Sequence, residues 1–121
     1  MRGKGRRGGP GFGMNWWLEA YILLSLMKGP AHGYELLNRL SEYGIAWPGR
    51  GSIGIVYKQL RNMEMKGLVV STWDVGGKGP PKRVYTITLQ GMEFLEKIVE
   101  DLKAHLSTIT GFIREFEERR R

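Results

Sequence analysis

The sequence predicts an α+β, mainly α fold. Three observations carry this expectation: three short helical segments bounded by Gly, Pro or capping residues, one pair of β-branched runs around a Gly/Pro-rich connector, and an unbroken heptad seam over the last third of the chain. A length of 121 residues suits one packed unit with appendages.

Residues 1 to 13 are Gly-rich, carry Arg2, Lys4, Arg6 and Arg7, and offer little apolar surface, so they are expected to form a flexible basic arm. Gly3-Lys4-Gly5-Arg6-Arg7-Gly8 fits G-x-G-x-x-G, but no strand precedes it and no βαβ unit encloses it, so it is not read as a dinucleotide site. Arg7-Gly8-Gly9 is a single RGG element of the kind seen in some RNA-binding tails.

Asn15 is placed to cap a first helix that carries Trp16, Trp17, Leu18, Ala20, Tyr21, Leu23, Leu24 and Met27 and stops at Gly29-Pro30. Its apolar residues occupy nearly every face, so cover is expected on more than one side. A second helix spans about residues 33 to 41, with Tyr34, Leu37 and Leu40 spaced by three along one face. Residues 44 to 51, with Pro48 and three glycines, read as a loop. Ser52 is a candidate N-cap for a third helix, with Ile53, Val56, Leu60 and Met63 inward and Gly54, Ile55, Lys58, Arg61, Asn62 and Lys66 outward. Gly67 followed by Leu68 supplies a left-handed stop with its hydrophobic follower.

Residues 68 to 75 and 84 to 87 read as strands, and the connector between them carries Lys78, Lys82 and Arg83, giving a hairpin with a basic tip. Thr88 is placed to cap a last helix running from Leu89 to about residue 118. On it Met92, Leu95, Val99, Leu102, Leu106, Ile109, Ile113 and Phe116 alternate in steps of three and four, a heptad seam. Such a helix is roughly 45 Å long, more than a body of this size can cover, and a second copy is its simplest partner. Ser107, Thr108, Thr110 and Gly111 are weak helix formers and mark a place for a bend. The expected organisation is therefore an arm (1–13), a packed domain (14–88) and a dimerisation helix (89–121).

The composition, 41% hydrophobic and 26% charged, is that of a folding chain. The net charge of +7 is unevenly held. Residues 1 to 88 carry 13 Lys or Arg against 5 Asp or Glu, and residues 89 to 121 carry 6 against 7, so the cationic excess lies ahead of the last helix. A polyanionic partner is implied. With no Cys there is no disulfide framework or thiolate metal site, in keeping with a cytoplasmic location. The longest apolar run, residues 20 to 27, is too short to span a bilayer, and no signal-peptide pattern follows the first residues. His32 and His105 fall in unrelated elements without metal-ligand spacing. No nucleophile elbow or phosphate loop appears, so neither an enzyme nor a metal or cofactor site is expected. A local hydrogen bond at a helix start accounts for His32, and a polar position beside the seam for His105.

Helix, helix, helix, strand, basic hairpin, strand is the order of a winged helix-turn-helix, and the cations fall where double-stranded DNA would be met. Lys58 and Arg61 face outward on the third helix, whose free N-terminal N–H groups suit a phosphate. Gly54 allows close approach, Ile55 is placed to touch a thymine methyl, and Lys78, Lys82 and Arg83 are placed for backbone or minor-groove contact.

Several runs also resemble the PadR family of transcriptional regulators. They are Ile22-Leu23-Leu24-Ser25-Leu26, Gly29-Pro30, His32-Gly33-Tyr34-Glu35-Leu36, Ser52-Ile53-Gly54-Ile55-Val56-Tyr57, Leu60, Gly67-Leu68-Val69, and Gly79-Pro80-Pro81-Lys82-Arg83-Val84-Tyr85-Thr86-Ile87-Thr88 with Gly91 after it. The resemblance covers residues 17 to 116. It implies a winged-helix domain with a C-terminal dimerisation helix, binding palindromic promoter sites, usually as a repressor and in some members released by a small ligand. By position it places Tyr34, Ser52, Gly54, Tyr57, Lys58 and the Lys82-Arg83 pair at the DNA surface. Ile55 stands where the family commonly has Thr, removing a hydroxyl from that surface. The single last helix matches the family's compact members, some of which stack flat aromatic drugs between protomers on a tryptophan of that helix. Here the last helix has no Trp, so Trp16 and Trp17 are the candidate lining for a small aromatic effector. Two alternatives remain open on sequence: an RNA or single-strand binder led by the Gly/Arg arm, and a dimeric protein adaptor using the heptad helix.

Overall fold

A computed structural model describes residues 14–44 and 52–121. The elements follow the predicted order: α1 (Met14–Leu26), α2 (Gly33–Glu42), α3 (Ser52–Met65), β1 (Val69–Asp74), β2 (Lys82–Ile87) and α4 (Leu89–Arg119). The basic arm of residues 1 to 13 and the loop of residues 45 to 51 lie outside the described residues.

The apolar surface all round α1 is explained by its place at the centre, where it meets α2, α3, α4 and β2. Leu18, Ile22, Leu23 and Leu26 are buried there with Leu36 and Leu40 of α2 and Val56, Leu60 and Met63 of α3. Beyond the end of α1 the backbone is left-handed at Gly29, with φ 139°. The guanidinium of Arg39, on α2, donates to the carbonyls of Ser25 (3.1 Å) and Gly29 (3.2 Å), placing a cation at the negative end of α1.

Helix α2 buries Gly33, Leu36 and Leu40, whereas Tyr34 is exposed and Leu37 only half-buried. The predicted face of Tyr34, Leu37 and Leu40 is thus turned. Steps of three and of four both return to one helix side, and the ring of Tyr57 settles the choice by packing on the backbone of Gly33. A Cβ at Gly33 would lie 2.5 Å from that ring.

In α3 the inward residues Val56, Leu60 and Met63 are fully buried as predicted, with Gln59 added and Ile53 only half-buried. The helix ends in a Schellman motif: Leu68 N–H bonds to the Met63 carbonyl at 2.9 Å and Gly67 N–H to that of Glu64 at 3.0 Å, with Gly67 at φ +81°. β1 and β2 pair antiparallel from Val69↔Ile87 to Asp74↔Lys82. Ala31 extends this sheet by a reciprocal bridge to Tyr85, with N···O distances of 3.1 and 2.8 Å, so the hairpin base is stitched to the start of α2.

Thr88 caps α4 as predicted, accepting from Gly91 N–H at 3.0 Å while its own hydroxyl donates to the Gly67 carbonyl at 2.6 Å. α4 runs unbroken for 31 residues, about 46 Å. Its first turns belong to the body, where Gly91, Leu95 and Ile98 are buried. From Lys103 onward every residue is exposed.

Candidate nucleic-acid interface

Residues of α3, of the hairpin and of the N-terminal turn of α2 line a cleft of about 800 Å³. Tyr34, Tyr57, Arg61, Lys82 and Arg83, drawn from α2, α3 and β2, all line it. The sequence places these residues as much as 49 positions apart, and the helix-turn-helix and hairpin bring them together.

On α3, Gly54 faces open space, Ile55 is exposed, and Lys58 and Arg61 point to solvent. Tyr34 is 65% exposed at the start of α2. Lys78 is exposed in the connector and Lys82 near the start of β2. Among the described residues no ion pair or hydrogen bond engages Lys58, Arg61, Lys78 or Lys82, so their charge is available to an external anion. The side chain of Ser52, which opens α3, lies outside the described residues.

Two of the expected contacts are partly committed within the chain. Tyr57 is half-buried against Gly33 and the core, although its ring also borders the cleft. Arg83 lies in β2 rather than at the hairpin tip, because pairing continues to Asp74↔Lys82. Its Nη1 donates to Ser71 Oγ at 2.7 Å, and its guanidinium stacks 4.7 Å from the ring centre of Trp73. Sequence reasoning missed Ser71, Trp73 and Glu64 as members of this site. Only the strand register, which sets Trp73 opposite Arg83, could have signalled the first step.

His32 makes the expected local bond: Glu35 Oε1 accepts from the His32 backbone N–H at 2.7 Å and lies 2.9 Å from Nδ1. The backbone donor holds the Glu35 carboxyl below its ordinary value. On its other side the imidazole Nε2 lies 3.4 Å from Asp74 Oδ2, linking the start of α2 to the end of β1. Burial pushes the Tyr85 hydroxyl above its ordinary value at the cleft floor.

A second, apolar groove of about 1010 Å³ lies between α1 and α4, bordered by Leu24, Met27, Met92 and Val99. The predicted seam divides here. Leu95, assigned to dimerisation from its spacing, is 6% exposed and sits in the core of its own chain, because α4 crosses the body at that level. Met92 and Leu102 are half-buried, while Val99, Leu106, Ile109, Ile113 and Phe116 are exposed. Trp17 stacks on Tyr21 at 5.7 Å, and Tyr21 packs on Tyr43 at 4.9 Å. Neither cleft includes Trp17 among its lining residues, and the side chain of Trp16 lies outside the described residues.

These features define a winged helix-turn-helix protein with a cationic face across α3 and the wing. Residues 22–97 match the Transcriptional regulator PadR-like family. The chain belongs to that family, which is one of transcriptional regulators and not of enzymes. It is similar to the structure of TA0346 from Thermoplasma acidophilum, at 33% identity over 84% of this chain and 94% of that one, with a TM-score of 0.70. TM0937, described as a potential transcriptional factor, is 39% identical over 93% and 99% of the two chains, with a TM-score of 0.69. Bacillus subtilis PadR, solved in complex with operator DNA, is 25% identical over 69% of this chain and 46% of its own, with a TM-score of 0.60. Among curated proteins none matches. No helix among the described residues is long and apolar enough to cross a membrane.

Proposed function

We propose that the chain acts in the cytoplasm as a homodimeric repressor that sets two copies of α3 into successive major grooves of a pseudo-palindromic operator. The observation that carries this reading is the set of exposed cations Lys58, Arg61, Lys78 and Lys82 on α3 and the wing, unpaired among the described residues, with Arg61 and Lys82 lining the cleft between the two. Gly54 and Ile55 form the part of α3 that meets base edges, with Tyr34 and the N-terminal turn of α3 beside the backbone. The cations Arg2, Lys4, Arg6 and Arg7 ahead of this domain add to its attraction for phosphates. Pairing of the exposed α4 seam sets the spacing of the two reading helices.

Anisotropy titrations against duplexes from the region upstream of its own gene test this. Specific binding on the order of 10⁻⁸ M is expected, weakening steeply with salt. Replacing both Lys58 and Arg61 with Ala should weaken binding to every duplex and flatten its salt dependence. Equal, salt-insensitive affinity for every duplex would remove the proposal.

A further inference from the structure

Arg83 differs from Lys58, Arg61, Lys78 and Lys82 in having partners within the described chain. Ser71 Oγ accepts from Arg83 Nη1 at 2.7 Å and donates its one proton to Glu64 Oε2 at 2.8 Å. The guanidinium lies 4.0 Å from the second Glu64 oxygen and covers the Trp73 ring. These four residues come from α3, β1 and β2, so the relay ties the hairpin to the helix beside it. The base of the hairpin is fixed by buried Val69 and Tyr85 and by the Ala31 bridge, but residues 72 to 83 are exposed. From Ser71 outward, the relay and the His32–Asp74 contact are the hydrogen-bonding and ionic side-chain links from the hairpin to the helices among the described residues.

We propose that Arg83 is a positioning residue and not a phosphate contact: through Ser71 and Glu64 it fixes the angle of the wing to α3, and so the width of the cleft presented to DNA. The inference rests on the DNA-binding reading for its consequence, though not for the tether itself. The chemistry separates it from a simple cationic contact in three ways. Glu64 supplies the countercharge, so Arg83 adds little net charge to the face. Ser71 carries no charge, yet it is essential to the relay. A lysine would keep the charge of Arg83 while losing the planar fork that both bonds Ser71 and stacks on Trp73.

Operator affinity measured against salt, in the full-length protein, reads this out. Arg83→Met should weaken binding about tenfold and Ser71→Ala about fivefold, each with the slope of log K against log salt unchanged. Lys82→Met, by contrast, should flatten that slope by roughly 1.8, about 0.9 for each protomer of the dimer. Arg83→Lys should be nearly as weak as Arg83→Met. Glu64→Gln should weaken binding although it removes a negative charge from the DNA face. A flatter slope in Arg83→Met that Arg83→Lys restores, or tighter binding by Glu64→Gln, would overturn the inference. Amide exchange without DNA tests the tether alone. Ser71→Ala should speed exchange in the outer hairpin, at residues 72 to 84, and spare the amides of Val69 and Ile87. Unchanged exchange there would overturn the tether, whereas loss of DNA binding by the wild type would remove only the DNA-binding reading.

Discussion

At the scale of single residues, the tightest point is the junction of α3, β1 and α4. A Cβ at Gly91 would collide with the Leu68 carbonyl and come within 2.7 Å of Ile87 Cγ1, and backbone cannot retreat as a side-chain tip can. Gly91→Ala should therefore cost about 1–3 kcal/mol, read as a lower urea midpoint at constant m. Gly54→Ala, whose Cβ enters open space, is the matched control and should gain about 0.5–1 kcal/mol from helix propensity. Glu35 gives a prediction in pH. The His32 backbone N–H bonds its ionised form and depresses its pKa in the folded state, so the contribution to stability is full above the unfolded value. That contribution is lost as pH falls through the folded one. Glu35→Gln should remove this contribution and so make the acid limb of stability shallower below the unfolded carboxyl value of about 4.3. An unchanged acid limb in urea titrations would show that the bond exerts no net pull on folding.

At the scale of elements, signals local to a few residues were legible and relations across the chain were not. Gly67-Leu68 and Thr88 announced their caps because capping chemistry is written within four residues. The inner face of α3 was clear because Val56, Leu60 and Met63 repeat without a competitor. In α2 the apolar residues Tyr34, Leu36, Leu37 and Leu40 offer two overlapping stripes, and the choice depends on Tyr57, more than twenty residues away, lying on Gly33. The heptad seam was read correctly as a period, but periodicity cannot say where a helix leaves the body, so Leu95 looked like its neighbours. The candidate site was legible as cations on α3 and the hairpin. That Arg83 is spoken for depended on Ser71 and Glu64, whose roles no local pattern records. The α4 cap also ties the long helix to the end of α3, since Thr88 bonds both Gly91 N–H and the Gly67 carbonyl. Thr88→Ala should cost about 1–2 kcal/mol, measured by urea denaturation, and Thr88→Ser should recover most of it.

At the scale of the whole molecule, α4 leaves the body near Leu102 and carries Leu106, Ile109, Ile113 and Phe116 into solvent along one stripe, with Phe112 beside it. The same apolar surface continues into the groove bordered by Leu24, Met27, Met92 and Val99. Hydrophobic residues repeated over several turns of an uncovered helix favour association, since no part of the described body reaches them. The proposed dimer puts this stripe against a second copy, and it ties operator affinity to the protein's own concentration. Thermal midpoints should therefore rise with protein concentration. Ile109→Asp combined with Ile113→Asp should turn a dimer into a monomer at micromolar concentration by light scattering. The circular dichroism of the winged domain should survive, because its buried residues lie ahead of Val99. Operator binding should then drop to that of a single half-site, with a shallower salt dependence because half the phosphate contacts are gone. A variant that remains dimeric would place the interface elsewhere, and a wild type that stays monomeric at these concentrations would end the pairing of two reading helices.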